Sequence, residues 1–256
     1  MQTLKHKVAI VTGATSGIGY ATALLFAQHG ARLVLNGRRR EPLAALVAHI
    51  EAAGGEALGV PGDVKDEALA ESLVVTAVDR FGGLDIAFNN AGIIGDMQPV
   101  TNLSMAAWRD IVDTNLTSAF LGAKYQIPAM LTRGAGSLVF TSSFVGYTAG
   151  IPGMAAYGAS KAGQIGLVKT LAAAYGASGI RVNALLPGGT DTPMNLANAP
   201  DAGPEVQSFV EGLHAVKRIA APEEIARAAL FLVSDASSFV TGTAFLVDGG
   251  VSICKT

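Results

Sequence analysis

The sequence predicts a doubly wound α/β fold, a parallel sheet covered by helices on both faces, and three observations predict it. Short apolar runs that are nearly continuous, rather than alternating with polar residues, recur along the chain with helical stretches between them, as expected of strands buried on both sides. Hydrophobic residues make up 50% of the 256 residues and charged ones only 15%, so much of the chain must be buried. The runs also end in Gly, Asn, Ser or Pro, residues that stop a strand and turn the chain.

In chain order, KVAIVTG reads as the first strand, followed by an alanine-rich helix from about Gly19. ARLVLNG is the second strand, with a helix from about Glu41. EALGVPGDV, LDIAFNNAG, GSLVFTSS and IRVNALLPG follow as short buried strands with helices between them, and TAFLVDGG is the last strand. Crossovers between parallel neighbours are expected to be right-handed. No repeat, low-complexity tract or composition shift interrupts the chain, so residues 1–256 read as one domain. Its least regular segment runs from Thr190 to Val216, with Pro193, Pro200, Gly203 and Pro204 among Asn and Ala. A long irregular segment in a compact domain is usually functional, and residues 190–216 read as a substrate lid.

Composition excludes several classes of function. The formal net charge is -2, with 18 basic and 20 acidic residues interspersed, which gives no field for nucleic acid. No run approaches the roughly 20 apolar residues of a membrane-spanning helix, and the four-residue run before Thr12 is too short for a signal-peptide core. The lone Cys254 cannot form an intrachain disulfide, and together these features point to the cytoplasm. Four His and one Cys show no metal-ligand spacing, so no metal is expected.

Ligands of open α/β sheets sit beyond the carboxyl ends of the strands, and the unusual residues of this chain fall there. The first strand ends in TGATSGIG, where Gly13, Gly17 and Gly19 open a helix. Such glycines let the backbone approach a pyrophosphate, and the N–H groups of the helix start attract its charge. Further along, Tyr157 and Lys161 stand four apart on a predicted helix and share a face. An ammonium beside a phenol favours the phenolate, so Lys161 is expected to lower the pKa of Tyr157 and activate it. Ser143 closes the strand GSLVFTSS, where its hydroxyl can polarise a reacting oxygen; its neighbour Ser142 is the competing choice. Asn115, in DIVDTNLTSAF, is an odd polar residue in mid-helix.

TGATSGIG, NNAG at 89–92, Asn115, Ser143, YGASK at 157–161 and PGGTDT at 187–192 together resemble, in order, the motifs of the short-chain dehydrogenases/reductases, across essentially the whole chain. The resemblance implies a Rossmann-type fold and hydride transfer between a nicotinamide and a carbonyl or secondary alcohol. It also implies that Tyr157 exchanges a proton with the substrate oxygen, that Lys161 also holds the nicotinamide ribose, and that Asn115 binds a water linking the lysine to a proton relay. By the same resemblance, Ser16 lies with the glycines at the cofactor, Asp63 and Val64 flank the adenine, and Asn90, Ala91 and Gly92 line the adenosine side. Ile18 and Pro187 pack the nicotinamide, and Gly188, Thr190 and Thr192 close its end, with Thr192 on the carboxamide.

The second strand, RLVLNGRRR, ends without the acid that takes a ribose 2′-hydroxyl in NAD enzymes, and Arg38 offers a guanidinium to a 2′-phosphate. NADP(H) is therefore expected, with Arg38 the main contact; Ser16 carries no positive charge, which leaves NAD(H) open. Apolar residues in 93–97 and 144–154, with Met194, Leu196 and Phe209, are expected to line a substrate pocket, in which His214 is either a polar anchor or a solvated lid residue. Family habit implies a homotetramer, or else a homodimer. Two other readings stand beside the oxidoreductase: a catalytically idle dinucleotide-binding sensor or scaffold, and a sugar-nucleotide epimerase or dehydratase using the same Tyr and Lys.

Overall fold

The computed structural model describes residues 3–195, 198–199 and 202–254. Among these, seven strands form one parallel sheet in the order β3-β2-β1-β4-β5-β6-β7, so the chain starts in the middle, winds to one edge and returns across β1 to the other. The strands are β1 (Val8–Val11), β2 (Arg32–Gly37), β3 (Glu56–Pro61), β4 (Ile86–Asn89), β5 (Gly136–Thr141), β6 (Ile180–Pro187) and β7 (Ala244–Val247). Reversal at β1 makes the space beyond β1 and β4 the topological switch point, where ligands of such sheets bind.

Both sheet faces are buried, which is why the strands read as apolar runs. One layer packs α3 (Glu67–Phe81), α5 (Ser118–Arg133) and α6 (Ala155–Tyr175) on one face, with Ile10, Val34, Phe140 and Val182 pointing into it. The other packs α1 (Gly17–Gln28), α2 (Arg40–Ala52) and α8 (Pro222–Val233) around Phe26, Leu33, Phe88 and Leu185. Alternation along each strand therefore supplies both cores.

Local chemistry sets the helix ends. Asp66 caps α3 by accepting the Ala68 N–H at 2.9 Å, and Ser104 caps α4 (Met105–Val112) by accepting that of Ala107 at 3.1 Å. In α8, Pro222 fills a first-turn position, and Glu224 reaches back to the Ala221 N–H at 2.9 Å while pairing with Arg218 at 2.6 and 2.8 Å.

Two local readings change. Asn115 does not sit in a regular helix: residues Asp113–Thr117 form a π-helical turn joining α4 to α5, with the Ser118 N–H bonded to Asp113 O. Such turns bulge the helix and re-aim the residues in them. The irregular segment 190–216 contains α7 (Pro204–Gly212), which starts at a proline whose fixed φ suits a first helical turn. No helix among the described residues is long and apolar enough to cross a membrane.

Candidate active site

Loops at the carboxyl ends of the strands enclose a cavity of about 600 Å³. It is lined by all of the sequence-chosen site residues except Gly19 and Asn115, which lie just behind it. One end is walled by Arg38 and Asp63, the middle by the glycine loop and Asn90–Gly92, and the other end by Ser143, Tyr157 and the 190–216 segment.

The glycine loop has no room for side chains. A Cβ on Gly13 (φ +65°) would meet the Ala91 backbone at 3.0 Å, and one on Gly19 would run into the Gly13 carbonyl. Behind it, Thr12 accepts the N–H groups of Asn90 and Ala91 at 3.0 and 3.1 Å, fastening the end of β1 to the NNAG loop. Thr141 donates its hydroxyl to Asn90 Oδ1 at 3.1 Å, which fastens β5 to the same loop. The N-cap of α1, Ser16, makes no side-chain capping bond, which leaves the first-turn N–H groups of that helix available to an anion, and Ser16, Gly17 and Ile18 line the cavity. Asn36 lines the cavity too, but its amide nitrogen is used, donating to Val60 O and Gly62 O at 3.0 and 3.2 Å, while Arg38 lines the cavity and Arg39 donates to Thr15 O at 3.0 Å. This end thus presents cations and N–H donors, with Asp63 3.8 Å from Lys65.

At the other end, α6 carries Tyr157 and Lys161. The Lys161 ammonium lies 5.7 Å from the Tyr157 ring centroid and donates to Thr141 O at 2.6 Å. The Ser143 hydroxyl is near enough to the Tyr157 phenol to lower its pKa, and it accepts the Val145 N–H at 3.1 Å. Ser142 points elsewhere, donating to the Lys161 carbonyl at 2.9 Å. The adjacent serines thus differ: Ser143 faces the phenol, and Ser142 holds the backbone of α6.

The expected downward pull of Lys161 on the phenol is not the leading effect here. Burial drives both groups toward their neutral forms, raising the Tyr157 pKa above its usual value, with the Ser143 hydroxyl offsetting part of the rise. The same burial pushes Lys161 down to about 7, so near neutral pH it carries only part of its charge.

Asn115 is wholly buried, and its side chain is saturated: Oδ1 accepts the Ile93 N–H at 2.9 Å, and Nδ2 donates to Ile93 O at 2.9 Å and Ser160 Oγ at 3.0 Å. Its carbonyl accepts Gln164 Nε2 at 2.7 Å. Sequence reasoning missed Gln164, one turn after Lys161. Its Oε1 is buried without a partner among the described residues, and it lines a second cavity of about 20 Å³ together with Thr12 and Ser118. Its signal was a polar residue on a helix face otherwise given to packing.

His214 is neither an anchor nor solvated. It is 2% exposed, and both ring nitrogens are engaged: Nδ1 donates to Val210 O at 2.8 Å, and Nε2 accepts the Gly189 N–H at 2.9 Å. Leu196 lies outside the described residues.

Comparison with known proteins gives this arrangement its context. A family model described as enoyl-(acyl carrier protein) reductase matches residues 13–252. Cyclohexanol dehydrogenase of Acinetobacter sp. (strain SE19) is 40% identical over 244 residues, covering 95% of this chain and 94% of that protein. The chain belongs to the short-chain dehydrogenase/reductase family. Another member, the 2,5-dichloro-2,5-cyclohexadiene-1,4-diol dehydrogenase of Sphingobium indicum, is 42% identical over 251 residues, covering 98% of each chain. The crystal structure of levodione reductase superposes with a TM-score of 0.93 at 36% identity, covering 98% of this chain and 100% of that one. This short-chain dehydrogenase/reductase is an NAD(P)(H)-dependent oxidoreductase acting on CH–OH groups, and neither the idle sensor nor the epimerase finds support in these likenesses. The site fits such a cofactor: glycines that admit no Cβ and uncapped helix N–H groups at mid-cavity, guanidinium groups at one end, and a phenol with an ammonium at the other.

Proposed function

We propose an NADP(H)-preferring dehydrogenase/reductase that interconverts a secondary alcohol on an alicyclic ring with its ketone. Tyr157 is the general acid/base, Ser143 holds the reacting oxygen against it, Lys161 holds the ribose, and Asn115 fixes the loop at Ile93 beside them. Tyr157 and Ser143 on the wall of one cavity, with the Lys161 ammonium 5.7 Å from the Tyr157 ring centroid and the glycine loop lining the same cavity, carry this reading. When bound, the nicotinamide supplies or accepts the hydride. In oxidation, Tyr157 takes the hydroxyl proton of the alcohol; in reduction it returns a proton to the carbonyl oxygen, while Ser143 donates to that oxygen as it gains charge. The alicyclic class is taken from the activities for which the two dehydrogenase relatives are named.

Preference for the 2′-phosphate is supported by Arg38 at the cavity wall and by the absence of an acid at the end of β2, where Asn36 faces β3. Residues 1–256 act as one dinucleotide-binding and catalytic unit in the cytoplasm, with 190–216 as the lid over the substrate end. Homotetramers are the proposed assembly, with homodimers the alternative; exposed Phe239 and Leu246, near the last strand, suit a buried contact between copies. Spectrophotometric titration with NADPH and NADH, followed by turnover of alicyclic alcohols and ketones by the native chain and Tyr157→Phe, tests the reading. Tight NADPH binding with turnover lost in the variant supports it, and failure to bind either nucleotide overturns it.

A further inference from the structure

We infer that the substrate of this site carries no charge and is held through its reacting oxygen alone. The inference rests on the oxidoreductase reading above and adds the electrostatic character of the substrate. Three loops wall the substrate end: that after β4 contributes Ile94 and Met97, that after β5 contributes Phe144 and Ile151, and the 190–216 segment contributes Met194 and Phe209. None of these side chains offers a charge or a strong hydrogen-bonding group.

Charged groups among the described lining residues lie elsewhere. Arg38, Arg39 and Asp63 stand at the far end, beyond the glycine loop, and Lys161 is committed to Thr141 O at 2.6 Å beneath the NNAG loop. Of the remaining polar side chains near the substrate end, Thr190 donates to Gly188 O at 3.1 Å, and Thr192 stands against Gly17 of the glycine loop. His214 uses both nitrogens within the protein, Ser142 donates to Lys161 O, and Asn195 donates to Thr190 O at 2.8 Å. Ser143 and Tyr157 are left facing the reacting end, and one substrate oxygen satisfies both.

A carboxylate, phosphate or ammonium on the substrate would therefore lose water on entry without meeting an opposite charge, a strongly unfavourable exchange. A longer substrate that carried its charge to the mouth would meet Met97, Met194 and Phe209, which are 41%, 45% and 68% exposed and equally apolar.

The test compares kcat/KM of the full chain, with its preferred nucleotide, for 4-methylcyclohexanol and cis-4-hydroxycyclohexanecarboxylate, two rings of similar size that differ in charge. The expected ratio favours the methyl compound by about 100-fold or more. Calorimetry of the nucleotide-loaded protein with the two matching ketones is expected to show heat for the neutral one only. Phe209→Arg, which places a cation at the mouth, is expected to narrow the kinetic ratio by about tenfold; folding of that variant is checked by circular dichroism and NADPH binding. Turnover of the carboxylate within tenfold of the methyl compound would overturn the inference and leave the oxidoreductase reading standing. Turnover of neither, with NADPH still bound and open-chain alcohols oxidised, would overturn the alicyclic neutral class alone, whereas loss of nucleotide binding would bring down both readings.

Discussion

Gly189 donates its backbone N–H to Nε2 of His214 across 2.9 Å, joining the loop after β6 to the end of the α7 segment. The contact is close on both sides, because a Cβ on Gly189 would meet His214 Cε1 at 2.8 Å and one on Gly249 would meet His214 Cδ2 at 3.3 Å. With Nδ1 donating to Val210 O, the ring buckles the lid to the two loops that follow the last strands. His214→Phe keeps the ring but leaves one buried N–H and one carbonyl unpaired. The expected loss is about 2 kcal/mol of stability, together with a raised KM for substrate, since the lid wall loses its tether. Urea unfolding and steady-state kinetics check both; an unchanged KM would remove the lid tether from the account.

The adjacent serines give a second prediction. Ser143→Ala removes the hydroxyl that faces Tyr157, and kcat is expected to fall about 100-fold or more, the scale of losing one donor to a developing oxyanion. Ser142→Ala loses a hydrogen bond to the Lys161 carbonyl, with an expected cost of about 1 kcal/mol in stability and less than about tenfold in kcat. Equal kinetic losses in the two variants would contradict the geometry, in which one serine meets the phenol and the other the helix backbone.

Arg38 carries the third. Replacing its guanidinium by Ala is expected to weaken NADPH binding by about 10- to 100-fold, the worth of a charge-assisted hydrogen bond, and to leave NADH binding nearly unchanged. Arg38→Asp is expected to go further and reverse the preference, because a carboxylate repels the phosphate and accepts from a free ribose hydroxyl. Fluorescence titration of both nucleotides against both variants reads this directly. An equal loss for NADPH and NADH would show that Arg38 meets a part of the cofactor common to both.

Much of this site was legible because its chemistry falls at strand ends, where sequence pattern is strongest. The run VAIV before Thr12 and Gly13, and the turn from GSLVFT into Ser142 and Ser143, announce both strand and loop in a few residues. What escaped depends on contacts between distant segments. His214 reads as a free histidine until Gly189, 25 residues earlier, is folded against it. Gln164 reads as a helix-surface amide until α6 packs on the turn holding Asn115. The π-helical turn at Asp113–Thr117 is a matter of hydrogen-bond register, to which hydrophobic periodicity is nearly blind. The helix within 190–216 was hidden by scattered prolines, one of which, Pro204, starts it. Nor could the sequence weigh burial of Tyr157 and Lys161 against their mutual attraction, since the outcome depends on how much water the finished site excludes.

That balance yields the last prediction, which concerns stability. Lys161 is 3% exposed, and burial pushes its pKa in the folded protein from 10.5 down to about 7. Between those values the unfolded chain binds one more proton than the folded chain at this residue, so stability rises with pH across that window. Below about pH 7 both states are protonated and the cost of burying the ammonium is present in full; above about pH 10 it has gone. Lys161→Met removes the ammonium while keeping most of the side-chain volume, at the price of the hydrogen bond to Thr141 O. The variant is expected to be inactive yet more stable than the native chain by about 2 kcal/mol at pH 6 to 7, with the gap closing as the pH approaches 10. Urea unfolding of both proteins at pH 6, 7, 8 and 9 measures it. A gap that stays constant with pH would mean that Lys161 keeps its proton throughout this range, and its part in the site would then be that of a permanent cation holding Thr141 and the cofactor ribose.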